Sequence, residues 1–366
     1  MRLWICAFAA AAVMAAAQPA LAQSGGGAAA FWKAVQTRCD AAAAKPAGDL
    51  GQRIARIAIG EFQRFGGHRI DADGRIFRFG LTEAEHEADD GGRSQATLGS
   101  IGWWQVMKYW RALYGEDGDA PGKLEVRGYS DATTATQDAQ SATLLRTSAA
   151  QLLKLADTIA DPAEREMLRE AAMRAAAVDT SWSAAFVSYV IRQAGVGAGA
   201  FQFANAHRAY IYDAFAASAA EHDGAANGGI YRACPLTATR PRPGDLICQQ
   251  RESALAGESE AAVRERIRGE LAGAAAARTV RRTHCEVVAH VDAAARKVYT
   301  VGGNVNQSVS ARKLNLRGRA LNFSSWQKGR CGPGHWTLPT AAGEAPDAPE
   351  KCSLNDRKWF VLLQLR

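Results

Sequence analysis

The chain has 366 residues, 48% of them hydrophobic and 22% charged, with 44 Lys and Arg against 37 Asp and Glu and a formal net charge of +7. That length supports one large or two small domains, and the apolar fraction is enough for a packed core, which excludes a disordered chain. The excess of basic residues is mild and dispersed, with no dense stripe and no recognition motif, so nothing points to nucleic acid.

Residues 1–22 read as a cleavable signal peptide. Arg2 forms a short positive start, Leu3 to Ala17 is apolar and uncharged, and Ala20-Leu21-Ala22 is a small-x-small cleavage site that makes Gln23 the expected mature N-terminus. The apolar run is short for a span and rich in Ala, and no later segment is long enough to cross a bilayer. A periplasmic or secreted location follows. Cleavage removes Cys6 and leaves Cys39, Cys234, Cys248, Cys285, Cys331 and Cys352, an even set that favours disulfides in an oxidising compartment. No CxxC or Cys/His cluster has metal spacing, so neither a metal nor another cofactor is expected.

Residues 23–48 read as a small-residue linker around Phe31, Trp32 and Cys39, and residues 49–177 as a helical N-terminal part. A helix is predicted from about Leu50 to Phe65 with Ile54, Ile57, Ala58 and Phe62 on one face, ended by Gly66-Gly67. A turn at Asp71 to Gly74 precedes a strand over Arg75 to Gly80. Gly102 to Tyr114 is a second amphipathic helix whose Trp103, Trp104, Met107, Tyr109 and Trp110 are assigned to the core, with a ligand platform as the alternative. Asp119 to Ser141 reads as a loop, and Leu144 to Ala177 as two helices broken at Asp161-Pro162.

The part from 178 to 366 opens with an apolar helix from Trp182 to Ala194, for which Asp179-Thr180-Ser181 supply N-cap residues and Gly195 the stop. After Pro243-Gly244 the pattern turns to strands: Asp245 to Gln249, Cys285 to Val291, Lys297 to Val301, Ser308 to Leu316 and Trp359 to Leu365, with Asp292 to Ala295 as a hairpin turn. Helices followed by strands predict an α+β domain. Residues 253–282 interrupt the sheet. Their Val263, Ile267 and Leu271 stripe predicts a helix, and Arg264, Arg266 and Arg268 make either a lid for an anionic substrate or a solvated insertion. Cys248 and Cys285 lie on successive strands and are expected to pair. Cys331 with Cys352, and hence Cys39 with Cys234, complete the set. Asp245, at a strand start after a turn, is expected to be structural. Pro333-Gly334-His335-Trp336 is loop-like.

Three segments occur in an informative order: Trp182-Ser183-Ala184-Ala185-Phe186, then Pro243-Gly244-Asp245-Leu246-Ile247 with Thr283-His284-Cys285-Glu286-Val287-Val288, then Val301-Gly302-Gly303-Asn304. Together they resemble the papain-like NlpC and CHAP superfamily of cell-wall amidases and peptidases. In that superfamily a nucleophile begins a helix, a His opens a strand and a polar residue on the next strand orients it. The chain is also similar to an uncharacterised bacterial family with a Trp-Ser-Ala-Ala-Phe motif, again at Ala206 to Ile211 and at His284 to Val288.

The resemblance implies a papain-like NlpC/CHAP-type fold with an N-terminal helical elaboration, and a hydrolase of amide bonds in peptidoglycan peptide with Ser183 as nucleophile, His284 as base and Asn304 as orienter. Trp182 and His207 are candidate substrate contacts, although His207 also fits an exposed helix histidine. The departure is Ser183, where the superfamily usually has Cys. A hydroxyl is far less acidic than a thiol and needs a competent base. The alternatives are an envelope protein that binds wall-derived peptide or a partner without catalysis, and an acyltransferase or esterase.

Overall fold

The computed structural model describes residues 27–84, 102–115, 120–130, 144–318, 320–323 and 353–366. Residues 1–22, read as a signal peptide, Cys331, Cys352 and Pro333 to Trp336 lie outside them.

The chain begins with α1 (Ala28–Ala43) and α2 (Asp49–Arg64), followed by β1 (His68–Ile70) and β2 (Ile76–Arg78). The segment read as a linker is therefore helical. It buries Phe31, Val35 and Cys39 at i, i+4, i+8, a stripe that its Ala content masks. Next come α3 (Gly102–Tyr114), α4 (Ala120–Lys123), and a separate hairpin of β3 (Glu125–Tyr129) and β4 (Leu144–Ser148), where a loop and a helix start were expected. α5 (Ala149–Ala156) and α6 (Pro162–Asp179) follow, broken as predicted at Asp161-Pro162. Asp161 caps α6 by accepting the N–H groups of Ala163 and Glu164.

The remaining elements are α7 (Ser183–Gln193), α8 (Arg208–His222), β5 (Tyr231–Pro235), β6 (Leu246–Gln250), α9 (Glu260–Gly269), β7 (Thr283–Asp292), β8 (Lys297–Val305), β9 (Ser308–Arg317), β10 (Asn322–Phe323) and β11 (Trp359–Leu365). The fold is α+β. Its main sheet runs β2-β1-β9-β8-β7-β6-β11-β5, with β10 on β9. Every pairing in it is antiparallel except β1 with β9.

The sheet is buried on both faces. Leu246, Cys248, Cys285, Val287 and Val301 pack in one core with Ile54 and Phe62 of α2 and Phe186 and Val190 of α7. Ile247, Val288, Val298, Leu314 and Leu362 pack in a second with Phe31 and Val35 of α1. Burial on both faces explains why β11 opens on the continuous apolar run Trp359 to Leu363 rather than an alternating one, with Gln364 as its one polar residue. Among the described residues, no helix is long and apolar enough to cross a membrane.

Cys248 and Cys285 sit directly opposite each other on β6 and β7, with Cα atoms 4.1 Å apart, and form a disulfide. Cys39 and Cys234 bond α1 to β5 with Cα atoms 6.1 Å apart. The 253–282 insertion folds as expected around α9, with Val263 and Ile267 buried. Its arginines serve the fold: Arg264 donates to the Phe360 carbonyl at 2.8 Å, while Arg266 and Arg268 pair with Glu258 and Glu265.

Candidate functional site

Ser183 is the first residue of α7. The residue before it, Trp182, makes no side-chain cap. Asp179 and Thr180, expected to cap this helix, instead accept the backbone N–H groups of Arg127 and Glu125 and hold β3. Trp182 is fully buried, stacked on Phe65 at 5.9 Å between ring centres, and its Nε1–H donates to Glu83 at 2.8 Å. Its assignment as a substrate contact is therefore corrected: the indole anchors the helix start inside the core. Burial pushes the Glu83 carboxyl up to about 7, with the Trp182 bond acting in the opposite direction.

Ser183 itself is half-buried, and the imidazole it meets is His207, not His284. His207 Nε2 and Ser183 Oγ are 2.7 Å apart. His207 is only 4% exposed, so the reading as an exposed helix histidine is also corrected. Its other ring nitrogen, Nδ1, receives the backbone N–H of Cys285 at 3.2 Å and adjoins the Tyr210 hydroxyl. β7 pairs with β8 from Val287 onward, with a register shift between Val288 and His290, and β8 bulges between Gly302 and Val305. The Cys285 N–H thus meets a side chain where a strand partner would otherwise stand.

A backbone N–H can only donate, so the Cys285 contact assigns a lone pair to Nδ1 and the proton of the neutral ring to Nε2, with the Tyr210 hydroxyl, which can donate or accept, as the second group on Nδ1. His207 then donates to Ser183. A general base needs the reverse arrangement, with the lone pair on the nitrogen that faces the hydroxyl. Burial, followed by His284 and Arg251, holds the His207 pKa well below its ordinary value, which keeps the ring neutral.

His284 is the second residue of β7 and turns away from α7. Successive strand residues alternate, and Cys285 and Val287 occupy the α7 side. The His284 ring lies 5.0 Å from the His207 ring, centre to centre, and among the described residues neither of its nitrogens has a hydrogen-bond partner. Ser183 and Asn304 therefore do not hydrogen-bond to it. Asn304 is half-buried at φ +52 in the β8 bulge, the left-handed conformation that Asn tolerates. The preceding glycines make room. A Cβ on Gly303 would lie 2.4 Å from Phe186 of α7, and one on Gly302 would lie 2.7 Å from Glu286 on the opposite face.

What His284 does meet is Glu286, two residues along the same face, with Nε2 to Oε1 at 3.4 Å. Glu286 accepts from Arg312 Nε at 2.7 Å and from Thr300 Oγ1 at 2.6 Å. Burial raises the Glu286 pKa, but Arg312, His284 and Thr300 outweigh it and hold the carboxyl at about 2. Burial lowers His284 to about 4, with Glu286 working against that shift.

Two further guanidinium groups adjoin this network. Arg251 follows β6, whose Gln250 N–H bonds the Lys358 carbonyl, next to Arg357. Neither Arg251 nor Arg357 has a carboxylate within ion-pair distance among the described residues. Burial and the charges of Arg312 and Arg251 bring Arg357 down to about 10. Burial and Arg312 likewise lower Arg251.

Asp245 is structural as expected, accepting the N–H groups of Arg242 at 2.8 Å and Leu365 at 2.9 Å. No group of three or more His, Cys, Asp or Glu side chains among the described residues could hold a metal ion.

No curated protein and no solved structure matches this chain. A family model described as an uncharacterized protein conserved in bacteria (DUF2272) matches residues 98–365, from the Trp-rich α3 through the Ser183–His207 pair to the end of β11, and the chain belongs to that family.

Proposed function

We propose that the protein is an exported, non-hydrolytic binding domain of papain-like NlpC/CHAP layout whose ligand is a wall-derived peptide carrying free carboxylates. The observation that carries this reading is the Cys285 N–H on His207 Nδ1, which leaves Ser183 accepting a hydrogen bond from the His207 imidazole. A serine in that state is not activated for attack. Arg251 and Arg357, beside a Glu286 already engaged by Arg312, offer charge for a peptide carboxylate. The wall-peptide class comes from the superfamily resemblance.

Amide hydrolysis is the second reading, favoured by the 2.7 Å separation of Ser183 and His207 at a helix start. One experiment separates the two. Purified protein is incubated with peptides from digested wall, products are read by mass spectrometry, and affinity is read by calorimetry. The binding reading expects intact peptides, unchanged affinity in Ser183→Ala, and weaker binding in Arg251→Gln. Peptide cleavage that disappears in Ser183→Ala would refute it.

A further inference from the structure

A cavity of about 640 Å³ lies between α2, the β1–β2 hairpin and the β7–β9 part of the sheet, and it contains neither Ser183 nor His207. This volume is within the roughly 300–1,000 Å³ typical of small-molecule sites. Ala289, Val301 and Ala311 from three neighbouring strands form its floor. Two of these three are alanines, which leave depth where larger side chains would fill the sheet face. Phe62, Phe77 and Tyr299 form the walls, and Phe77 is 60% exposed.

The rim carries positive charge without a matching acid. Arg69 stacks on Phe62, with Cζ 5.5 Å from the ring centre, and Lys313 Nζ stands 5.7 Å from the centre of the Tyr299 ring. Among the described residues neither cation forms an ion pair. Asp71, the lining acid, is occupied by Arg75 and by the backbone N–H groups of Asp73 and Arg75. Arg312, also at the lining, is committed to Glu286. Val301 and Ala311 pair with each other across β8 and β9, and the side chains of the Ala289–Val301–Ala311 floor carry no polar group to bond the hydroxyls of a sugar.

We propose that this cavity is a binding site for a single-chain anionic amphiphile, a free fatty acid whose alkyl chain lies on the Ala289–Val301–Ala311 floor and whose carboxylate meets Arg69 and Lys313. The site is separate from the proposed peptide site and does not depend on it.

Calorimetry with dodecanoate on the whole mature protein tests the assignment, with dodecanol and acetate as controls and each variant checked by its melting temperature. Saturable one-to-one binding of dodecanoate is expected, with dodecanol weaker and acetate silent. Arg69→Gln with Lys313→Gln, both at the rim, should weaken dodecanoate by about fivefold and erase its advantage over dodecanol. Ala311→Phe, which fills the floor, should remove binding of both chains.

Absence of saturable dodecanoate binding would overturn the proposal. So would equal affinity for dodecanol and dodecanoate in the wild type, acetate binding as well as dodecanoate does, or binding unchanged by Ala311→Phe. Sedimentation with phosphatidylglycerol vesicles but no uptake of dodecanoate would identify a membrane lipid as ligand, and would overturn it too.

Discussion

Arg312→Met tests whether the buried charges of this fold act as a unit. Arg312 is 2% exposed and Glu286 fully buried, and the guanidinium also donates to the Leu354 carbonyl, which ties residues 353–357 to β9. Removing it leaves a buried carboxylate with Thr300 as its remaining hydrogen-bond donor, a loss of about 3–5 kcal/mol. Glu286→Met alone leaves Arg312 unpaired at similar cost. The double variant removes both charges and should recover at least about 2 kcal/mol relative to the sum of the singles.

Urea unfolding at pH 7 with disulfides intact measures all three variants. The pH dependence gives a second readout. Glu286 is held at about 2, below its ordinary 4.5, so its ionised form contributes stability above pH 4.5 that is lost as pH falls toward 2, about 3 kcal/mol in full. Without Arg312 that acid limb should begin at higher pH. Additivity of the two singles within about 0.5 kcal/mol, or an acid limb unmoved in Arg312→Met, would refute the reasoning.

Three further outcomes are expected. Envelope protein should begin at Gln23 by mass spectrometry, and an intact Met1 in that fraction contradicts the leader assignment. Non-reducing peptide mapping should recover Cys39–Cys234 and Cys248–Cys285. Their closed loops of 195 and 37 residues correspond to about 5 and 4 kcal/mol, so free alkylation of either pair in native protein would count against the assignment. Glu83→Gln should flatten stability between pH 4.5 and 7. The raised carboxyl keeps its proton in the folded state over that window and stability falls as pH rises through it, by up to about 3 kcal/mol; an unchanged profile would show that Glu83 ionises normally.

Much of the fold was legible because its signals are local. The α2 stripe, the Trp-rich α3, the break at Asp161-Pro162 and the β7–β8 hairpin turn all emerge near their predicted places, and opposed strands predict the Cys248–Cys285 bond. The β3–β4 hairpin was missed because its exposed strands bury little and show no alternation. α1 was missed because alanines dilute its stripe.

At the site, the order of segments brought out Ser183, His207 and His284 but not who faces whom. His207 meets the Cys285 N–H where β7 has no β8 partner, and the β8 bulge between Gly302 and Val305 is not visible as such in the chain. Glu286 and Arg312 did leave a trace. Glu286 is a charge directly before the apolar run Val287-Val288-Ala289 and is on the His284 face by alternation, and Arg312 falls between the apolar Ala311 and Leu314 beside Lys313; a charge placed in a buried strand requires a buried partner.

The two disulfides have a consequence for how the chain could mature. Counted from Gln23 onward, the first four of six cysteines occur in the order 39, 234, 248, 285, and each of the two bonds joins a thiol to the next one along. A chain delivered N-terminus first into an oxidising compartment presents Cys39 alone until Cys234 follows, and only then exposes Cys248 and Cys285. An oxidase that links thiols in order of arrival would form both bonds correctly at the first attempt. For these four cysteines the pairing is encoded in arrival order, and reshuffling by an isomerase is unnecessary.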